Sequence, residues 1–488
     1  MTASLRARLL RGGAGSLAIK LGGVGLQFAV AVQLARVLGP DGYGVYALVF
    51  AIVTVLAVPT QLGVPQLVIR ETARAQAGEH WGRLRGLWRW GNVVVWASSG
   101  AIALLGLAAV WTFGEHISQP IVHTLIAGFA LVPLIALGNL RGAALRGLRH
   151  VVAGQLPALI LRPGLLVLLL LAALALLPGQ PLTPAVAMAL HALAAALAFA
   201  FGAALLTLLR PRPLARRSRL EVALAFIALA LYPIQPLTPV VPALHILAFA
   251  AGAGLIYLVR SSCPHTQPPR PEYEARAWLV SIVPLALTAG LQVINTQADI
   301  LVLGLFRPSD DVGVYKVAVQ AAMLIPFGLQ AVNMVIMPYV ARLHADGDHR
   351  RLQRLVTQSA RAILALALPL VLAFVFFGDA ILTLAFGPEY TRGHTALMLL
   401  SLGQLVNAGM GSVNVLLNMT GHERDTLRGV AFAALANLIL NFLLIPPFGM
   451  VGAAAATACT FVIWNLLLRR AVWQRIQIES MAFSLRRA

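Results

Sequence analysis

The chain has 488 residues, of which 59% are hydrophobic and only 11% are charged, and its formal net charge is +20. This apolar content is too high for a water-soluble protein, and stretches of about 20 apolar residues are long enough to cross a bilayer as helices. The two cysteines, Cys263 and Cys459, lie far apart without metal-ligand spacing around them, so neither a disulfide framework nor a metal site is predicted.

The apolar stretches predict an all-α, polytopic membrane protein with about fourteen transmembrane helices. In chain order, the predicted spans cover residues 15–37, 43–65, 90–111, 120–140, 153–177, 184–209, 219–232, 240–259, 277–304, 313–340, 357–377, 395–418, 428–445 and 450–468.

The loops between these spans alternate in charge. The loops on one side, together with both termini and the first residues of spans 219–232 and 428–445, hold 30 Lys and Arg residues, whereas the loops on the other side hold only Arg307 and Arg392. The positive-inside rule therefore predicts that both termini are cytoplasmic. The same basic residues can meet anionic lipid head groups, so membrane lipids are expected partners and nucleic acid is not.

Two internal repeats organise the chain. The sequence Gly-Val-Tyr follows a short turn at Gly44 and again at Gly313, and an apolar run follows each copy. This spacing aligns spans 1–6 with spans 9–14. An even number of spans separates the copies, so they share one orientation, and such halves usually enclose a cavity. The sequence predicts two six-helix bundles around a central cavity.

The second repeat is shorter and lies between the two halves. "ALALLPGQPLTP" at residues 173–184 returns as "ALALYPIQPLTP" at residues 228–239. The spans 219–232 and 240–259 are therefore interpreted as an inserted helix pair, although the sequence leaves open whether both cross the membrane. The predicted domains are an N-terminal bundle (1–210), the inserted pair with a Pro-rich cytoplasmic linker (211–275), and a C-terminal bundle (276–488).

Several short patterns in this order resemble polysaccharide (O-antigen-type) flippases of the multidrug/oligosaccharidyl-lipid/polysaccharide exporter superfamily. They are "GSLAIK" and "LARVLGPDGYGVYALV" around span 1, "QLGVPQLVIRETAR" after span 2, and "ADILVLGLFRPSDDVGVYKVAV" in the second half. The resemblance covers nearly the whole chain except residues 211–265. It implies a bacterial inner-membrane protein with two six-helix bundles that moves lipid-linked sugar units. An inserted pair between the halves departs from that pattern.

Charged residues inside the spans are the first candidates for substrate contacts, because a charge at the bilayer centre costs about 2.5–3.5 kcal/mol on insertion scales. Arg162 lies deepest and precedes Pro163-Gly164, where the helix is expected to bend. Snorkelling toward the membrane surface is the competing explanation for the other cations. The candidates are Lys20, Arg36, Arg162, Lys316 and Arg361, with Asp299 as the one carboxylate that lies away from the ends of a span.

Polar side chains also follow helical spacing on two spans. Gln292 and Asn295 share a face with Asp299 on span 9, and Gln404, Asn407 and Asn414 share a face of span 12. Amides at this spacing suit a passage that contacts sugars, whereas hydrogen bonding between helices is the alternative explanation. All five amides are included among the predicted substrate-binding residues.

The function predicted from the resemblance and these residues is a flippase that moves isoprenoid-diphosphate-linked oligosaccharide by alternating access for surface or exopolysaccharide synthesis. A polysaccharide polymerase and glycosyltransferases are the expected protein partners, and no cofactor is expected. A cation-coupled multidrug exporter of the same superfamily is the first alternative. A membrane-embedded glycosyltransferase or polymerase is the second, but no catalytic motif supports an enzyme.

Overall fold

The computed structural model describes residues 3–61, 63–176, 181–211 and 269–482, and these residues form helices joined by short turns, without a β-strand. The predicted spans 219–232 and 240–259 lie outside the described residues, so the inserted pair stays a prediction. Helices of the first half are α1 (Ala3–Gln61), α2 (Val64–Ala77), α3 (Trp81–Phe113), α4 (Gln119–Phe129), α5 (Leu131–Gly147), α6 (Val151–Leu156), α7 (Arg162–Leu176) and α8 (Pro184–Leu209). Helices of the second half are α9 (Ala275–Phe306), α10 (Ser309–Ala322), α11 (Phe327–Ala345), α12 (His349–Ala385), α13 (His394–Met410), α14 (Val413–Met419) and α15 (Glu423–Ile476).

The helices confirm a multi-pass, all-α membrane protein. Within the described residues, 8 helices are long and apolar enough to cross a membrane, or 10 if each of two bent helix pairs is one span. Two of these helices, Gly15–Gln61 within α1 and Glu423–Ile476 (α15), have 47 and 54 residues. At about 1.5 Å per residue, each is too long for one crossing of a core about 30 Å thick. Each contains two predicted spans with a positive-φ glycine between them, Gly39 (67°) and Gly449 (57°). The total of fourteen spans is not confirmed and stays a prediction.

A short π-helix interrupts the fifth predicted span at Pro157–Leu161, immediately before α7. The N–H of Arg162 donates to the carbonyl of Pro157, five residues earlier. Pro163 has no N–H for the carbonyl of Leu159, and its ring crowds that carbonyl, so the preceding turn widens. The irregularity predicted at Pro163-Gly164 therefore lies one turn earlier, and regular α-helix resumes at Arg162.

The chain divides into two compact units. The first unit comprises Met1–Gln33 and Ile52–Gly290, and the second comprises Leu34–Ala51 and Leu291–Ala488. Apolar side chains form the core of each unit, as elsewhere in tightly packed proteins. The domain boundaries predicted at residues 210 and 275 flank the segment that the structure leaves undescribed, and they stay predictions.

The two copies of the Gly-Val-Tyr motif meet inside the second unit. A Cβ atom added to Gly44 would overlap the carbonyl oxygen of Ser309, and one added to Gly313 would overlap the carbonyl oxygen of Pro40. Ser309 follows Pro40 by the same number of residues as Gly313 follows Gly44, so the contact is reciprocal. A reciprocal contact of this kind is characteristic of two-fold symmetry, and it is the geometry that a duplicated chain would produce.

Candidate substrate site

A cleft in the first unit contains the deepest of the predicted cationic residues. It has about 430 Å³ of empty space and opens to the surface, but the centre of a water molecule reaches only about 30 Å³ of it. The cleft is therefore narrow in this structure. Arg141, Arg162, Asn139 and Phe199 supply its charged, amide and aromatic side chains. The small residues that line it are Gly138, Gly142, Gly154, Ala158, Ala195 and Ala198.

Part of the cleft lining forms where α5 and α6 touch backbone to backbone. A Cβ atom on Gly142 would lie 2.5 Å from the carbonyl oxygen of Gly154, and one on Gly154 would lie 2.6 Å from that of Gly142. Only glycine allows this approach, as is common where membrane helices pack closely. The close approach brings the polar end of α5 next to the π-helix that precedes Arg162.

Arg162 lies at the point where the π-helix gives way to α7. Its side chain is half-buried and lines the cleft. It also interacts electrostatically with His191, which is buried on α8. The structure thus places Arg162 beside a cavity, as expected from its depth in the sequence, while its role in binding stays a prediction.

Arg141 is a functional candidate that the sequence pattern did not reveal. It is only 5% exposed, and its Nη1 donates a 2.7 Å hydrogen bond to Oδ1 of Asn92 on α3. Its guanidinium carbon lies 5.7 Å from the ring centroid of Phe199, within the range of a cation–π interaction. The Asn92 amide is itself fixed, because Nδ2 donates to the carbonyl of Trp88 at 2.7 Å. Arg141 therefore has a defined orientation in the cleft.

Asn139 adds an amide to the lining of the cleft. Its Nδ2 donates to Oε1 of Gln61, at the end of α1, at 3.0 Å. The cleft thus combines two guanidinium groups with an amide, all from helices of one unit. Guanidinium groups bind phosphate through paired, directional hydrogen bonds, so the side chains fit an anionic head group with polar substituents.

Two other predicted cations have structural partners. Arg36 donates from Nε to the carbonyl of Ala385 at 2.8 Å and from Nη2 to the carbonyl of Leu384, at the C-terminus of α12. The last carbonyls of a helix lack intrahelical donors and carry partial negative charge, so a cation stabilises them. Arg361 donates from Nε to the carbonyl of Ala482 at 3.1 Å. These contacts explain both residues without a substrate, and substrate binding by them stays a prediction.

Asp299 forms a buried polar cluster in the second unit. It is 6% exposed, and its Oδ2 accepts a 2.6 Å hydrogen bond from the hydroxyl of Tyr315. Oδ1 accepts a 2.9 Å bond from the backbone N–H of Ile300. Lys316 interacts electrostatically with this carboxylate. Lys20, by contrast, is half-buried in the first unit and is not part of the cleft lining.

The predicted amide side chains of spans 9 and 12 differ in their hydrogen bonding. Asn407 donates from Nδ2 to Oε1 of Gln404 at 3.3 Å, and its Oδ1 accepts from Asn465 on α15 at 3.0 Å. Asn414 is exposed and accepts from Asn418 at 2.8 Å. Within the described residues, the side chains of Gln292, which is exposed, and Asn295, which is half-buried, make no hydrogen bond. Asn407 thus joins two helices, whereas substrate binding by Gln292 and Asn295 stays a prediction.

The predicted residues are divided between the two units. Lys20 and Arg162 belong to the first unit, and only Arg162 lines the cleft. The other predicted residues belong to the second unit: Arg36, Gln292, Asn295, Asp299, Lys316, Arg361, Gln404, Asn407 and Asn414. In the described part of the chain, no group of three His, Cys, Asp or Glu residues is placed to hold a metal ion.

Sequence families identify the chain's relatives. The profile of the family described as "Polysaccharide biosynthesis protein" matches residues 9–344, and the profile described as MatE matches residues 284–459. The chain is 29% identical over 172 residues to the "Probable low-salt glycan biosynthesis flippase Agl15" of Haloferax volcanii, which covers 35% of this chain and 36% of that protein. It is 31% identical over 183 residues to the "Probable flippase AglR" of the same organism, covering 37% and 38%. The match thus spans little more than a third of these relatives' length.

Solved structures share the fold. An inward-facing multidrug resistance MATE family transporter of the MOP superfamily superposes with a TM-score of 0.64 at 13% identity, covering 95% of this chain and 98% of that one. The lipid II flippase MurJ, in an inward closed conformation, gives a TM-score of 0.61 at 12% identity, with coverage of 95% and 87%. At this identity the likeness concerns the fold alone.

Proposed function

Because the chain belongs to the polysaccharide biosynthesis protein family, we propose that it is a flippase for an isoprenoid-diphosphate-linked oligosaccharide. It carries the sugar unit across the membrane by alternating access, without chemical change to the substrate. Flippase names among its relatives support this function, although the matches cover only part of each protein.

One observation carries the choice of substrate: Arg141 and Arg162 line the same cleft in a membrane-embedded helix bundle. Burying Arg141 and placing Arg162 inside a span both cost free energy, so their joint presence in one cleft favours an anionic ligand. Each guanidinium can offer paired N–H donors to a phosphate group, and exclusion of bulk water leaves such contacts less screened. Asn139 in the same cleft suits hydroxyl groups of a sugar. The narrow cleft would have to widen to admit the head group.

The proposed function also implies a membrane location and an orientation. The charge asymmetry of the loops supports cytoplasmic termini, and we assign the protein to the bacterial inner membrane, where lipid-linked sugars are assembled on the cytoplasmic face. The enzymes that precede and follow transport, glycosyltransferases and a polysaccharide polymerase, are the proposed functional partners.

The test is transport of a fluorescent lipid-linked oligosaccharide by purified protein in liposomes, expressed per folded molecule. Arg162→Ala and Arg141→Ala are each expected to lower the rate at least about tenfold, the equivalent of one charge-assisted contact. Arg162→Lys should retain partial activity, because it keeps the charge but loses the fork. Arg276→Ala is the matched control, since Arg276 is an exposed arginine of the same unit outside the cleft. Normal transport by both alanine variants would remove the arginine pair from the mechanism.

A cation-coupled multidrug exporter is the second candidate. The MatE match to residues 284–459 and the buried carboxylate of Asp299 favour it, because cation coupling requires a membrane-embedded acidic group. The two functions differ in substrate. Efflux of a cationic dye that is lost in Asp299→Asn, together with no movement of lipid-linked sugar, would select the exporter.

A further inference from the structure

The end of the described chain is built into the second unit instead of extending from it. Helix α15 ends at Ile476, and Gln477 adopts a left-handed conformation (φ 55°) that reverses the chain. Residues 477–482, here called the C-terminal strap, then run back along the helices. Ile478, Ser480 and Ala482 are 2%, 0% and 0% exposed, so alternate residues of the strap are buried.

Hydrogen bonds to Glu479 and Ala482 hold the strap in place. The side-chain amide of Gln353 donates to the carbonyl of Glu479 at 2.7 Å and accepts from its N–H at 2.8 Å. Arg469 grips the Glu479 carboxylate with two bonds, of 2.9 and 3.1 Å. Arg361 donates to the carbonyl of Ala482 at 3.1 Å. The strap is therefore held by helices α12 and α15.

The strap packs on a break between two helices. Helices α13 and α14 meet at a bend of 42°, and Gly411 in the break has a φ of 74°. A Cβ atom on Gly411 would lie 2.5 Å from the carbonyl oxygen of Ser480. The glycine is thus required both by its backbone conformation and by the strap beside it.

One carbonyl group connects the strap to the bend. In an unbroken α-helix the carbonyl of Gly409 would accept from the N–H of Val413, four residues later. In this structure the N–H of Val413 donates instead to the carbonyl of Gly411 at 3.0 Å, and Gly409 accepts from the N–H of Ala482 at 3.0 Å. Ala482 therefore occupies the acceptor that a straight helix would need.

We propose that the C-terminal strap is a latch that keeps the α13–α14 helix bent, and that α14 can realign with α13 only when the strap leaves. The two arrangements exchange one backbone hydrogen bond at Gly409 for another, so neither leaves this carbonyl without a donor in the apolar interior. Asn407 and Asn414 lie on opposite sides of the break, so release of the latch would change their relative orientation. Any effect of this reorientation on transport rests on the proposed function.

The latch is tested by hydrogen exchange of the backbone amides of residues 409–419 in the full-length protein. Gln353→Ala/Glu479→Ala removes the contacts that hold the strap and should speed exchange at these amides by about tenfold or more, as expected when such contacts are lost. Glu423→Ala/Gln474→Ala is the matched control, because both side chains are exposed and neither forms a hydrogen bond or ion pair with the strap in the described structure. Equal exchange in the two variants would overturn the proposal.

A second experiment holds the strap in place. In a background without Cys263 and Cys459, cysteines introduced by Gln353→Cys and Glu479→Cys are joined with a short cleavable linker. Exchange at residues 409–419 should fall to or below the wild-type rate and rise when the linker is cut. No difference between linked and cut protein would contradict the latch. Transport is measured on the same samples, so a failure of the proposed function appears separately, as absent transport by the wild-type protein.

Discussion

Tyr315 donates its hydroxyl hydrogen to Oδ2 of Asp299 at 2.6 Å, within the second unit. Tyr315 is the tyrosine of the second Gly-Val-Tyr motif, and the corresponding Tyr46 of the first motif has Val30 at the position equivalent to Asp299. The two halves therefore share a backbone pattern but differ in buried charge. The Gly-Val-Tyr motif is therefore common to both halves, whereas the buried carboxylate of Asp299 is specific to the second half.

Tyr315→Phe tests the structural part of this bond. It removes the hydroxyl donor and leaves a buried carboxylate oxygen with one partner fewer, so a loss of about 2 kcal/mol in the free energy of unfolding is expected. The measurement is thermal or chemical unfolding in detergent. Tyr339→Phe is the control, because Tyr339 is 56% exposed. Equal stability of the two variants would show that the bond contributes little.

Asp299→Asn tests a role in transport. Asparagine can still accept from Tyr315 but carries no charge, so we expect a smaller loss of transport than in Arg162→Ala and an unchanged pH profile between wild type and variant. The measurement is the transport rate in liposomes across a pH series. A pH dependence that disappears with Asp299 would instead identify it as the group that carries a coupling proton.

Gly44→Ala and Gly313→Ala test the reciprocal contact between the repeats. Each added methyl group would overlap a backbone carbonyl oxygen, of Ser309 or Pro40, so both variants should be destabilised by about 3 kcal/mol or more, because the backbones must separate. Gly100→Ala is the matched control, since nothing lies within 4 Å of its added Cβ. The measurement is the unfolding midpoint of each variant. If Gly44→Ala and Gly313→Ala are as stable as Gly100→Ala, the two backbones can separate at little cost and the prediction is wrong.

Glu71→Gln tests a cluster of ion pairs in the first unit, the unit that contains the cleft. Glu71 is only 5% exposed and accepts from Arg70, Arg74 and Arg83 at 3.0, 3.1 and 3.2 Å. Removing its charge leaves these cations facing a neutral amide, so we expect destabilisation of about 2–3 kcal/mol. Glu274→Gln, which loses a single bridge at a 43% exposed side chain, should cost less than about 1 kcal/mol. Similar unfolding midpoints for both variants would contradict this difference.

Reporter fusions test the topology. A reporter placed after Thr112 or after Gly387 should give an external signal, and one placed after Gly347 should give a cytoplasmic signal, because the inner loops carry the basic residues. Gly347 and Gly387 lie just beyond the two ends of α12, whose caps are Asp348 and Phe386. The same signal from both of these fusions would be incompatible with α12 as a membrane span.

The helix breaks show what can be predicted from the sequence. Gly39 and Gly449 fall in the short gaps between predicted spans, because glycine and proline mark turns by their own backbone preferences. Local chemistry of this kind needs no knowledge of the neighbouring helices. The location of Arg162 in a span followed in the same way from the length of the apolar stretch around it.

Arg141 and the C-terminal strap show what could not be predicted. Arg141 lies one residue beyond predicted span 120–140, and hydropathy assigns any cation at such a position to a loop; its burial depends on Asn92 and Phe199, which are distant in sequence. The strap has no apolar run, and its position depends on Gln353 and on the carbonyl of Gly409. Both features arise from tertiary contacts, which a one-dimensional pattern does not contain.

The contact between Gly44 and Gly313 has a consequence for the origin of the chain. Each motif meets the other through the same surface, with Pro40 and Gly44 against Ser309 and Gly313. An interface in which a surface binds its own copy is the kind that holds a symmetric homodimer together. A half-length ancestor could have paired with itself through this surface before its gene was duplicated and fused. Afterwards the two halves were free to diverge, so that a carboxylate could arise in one half alone.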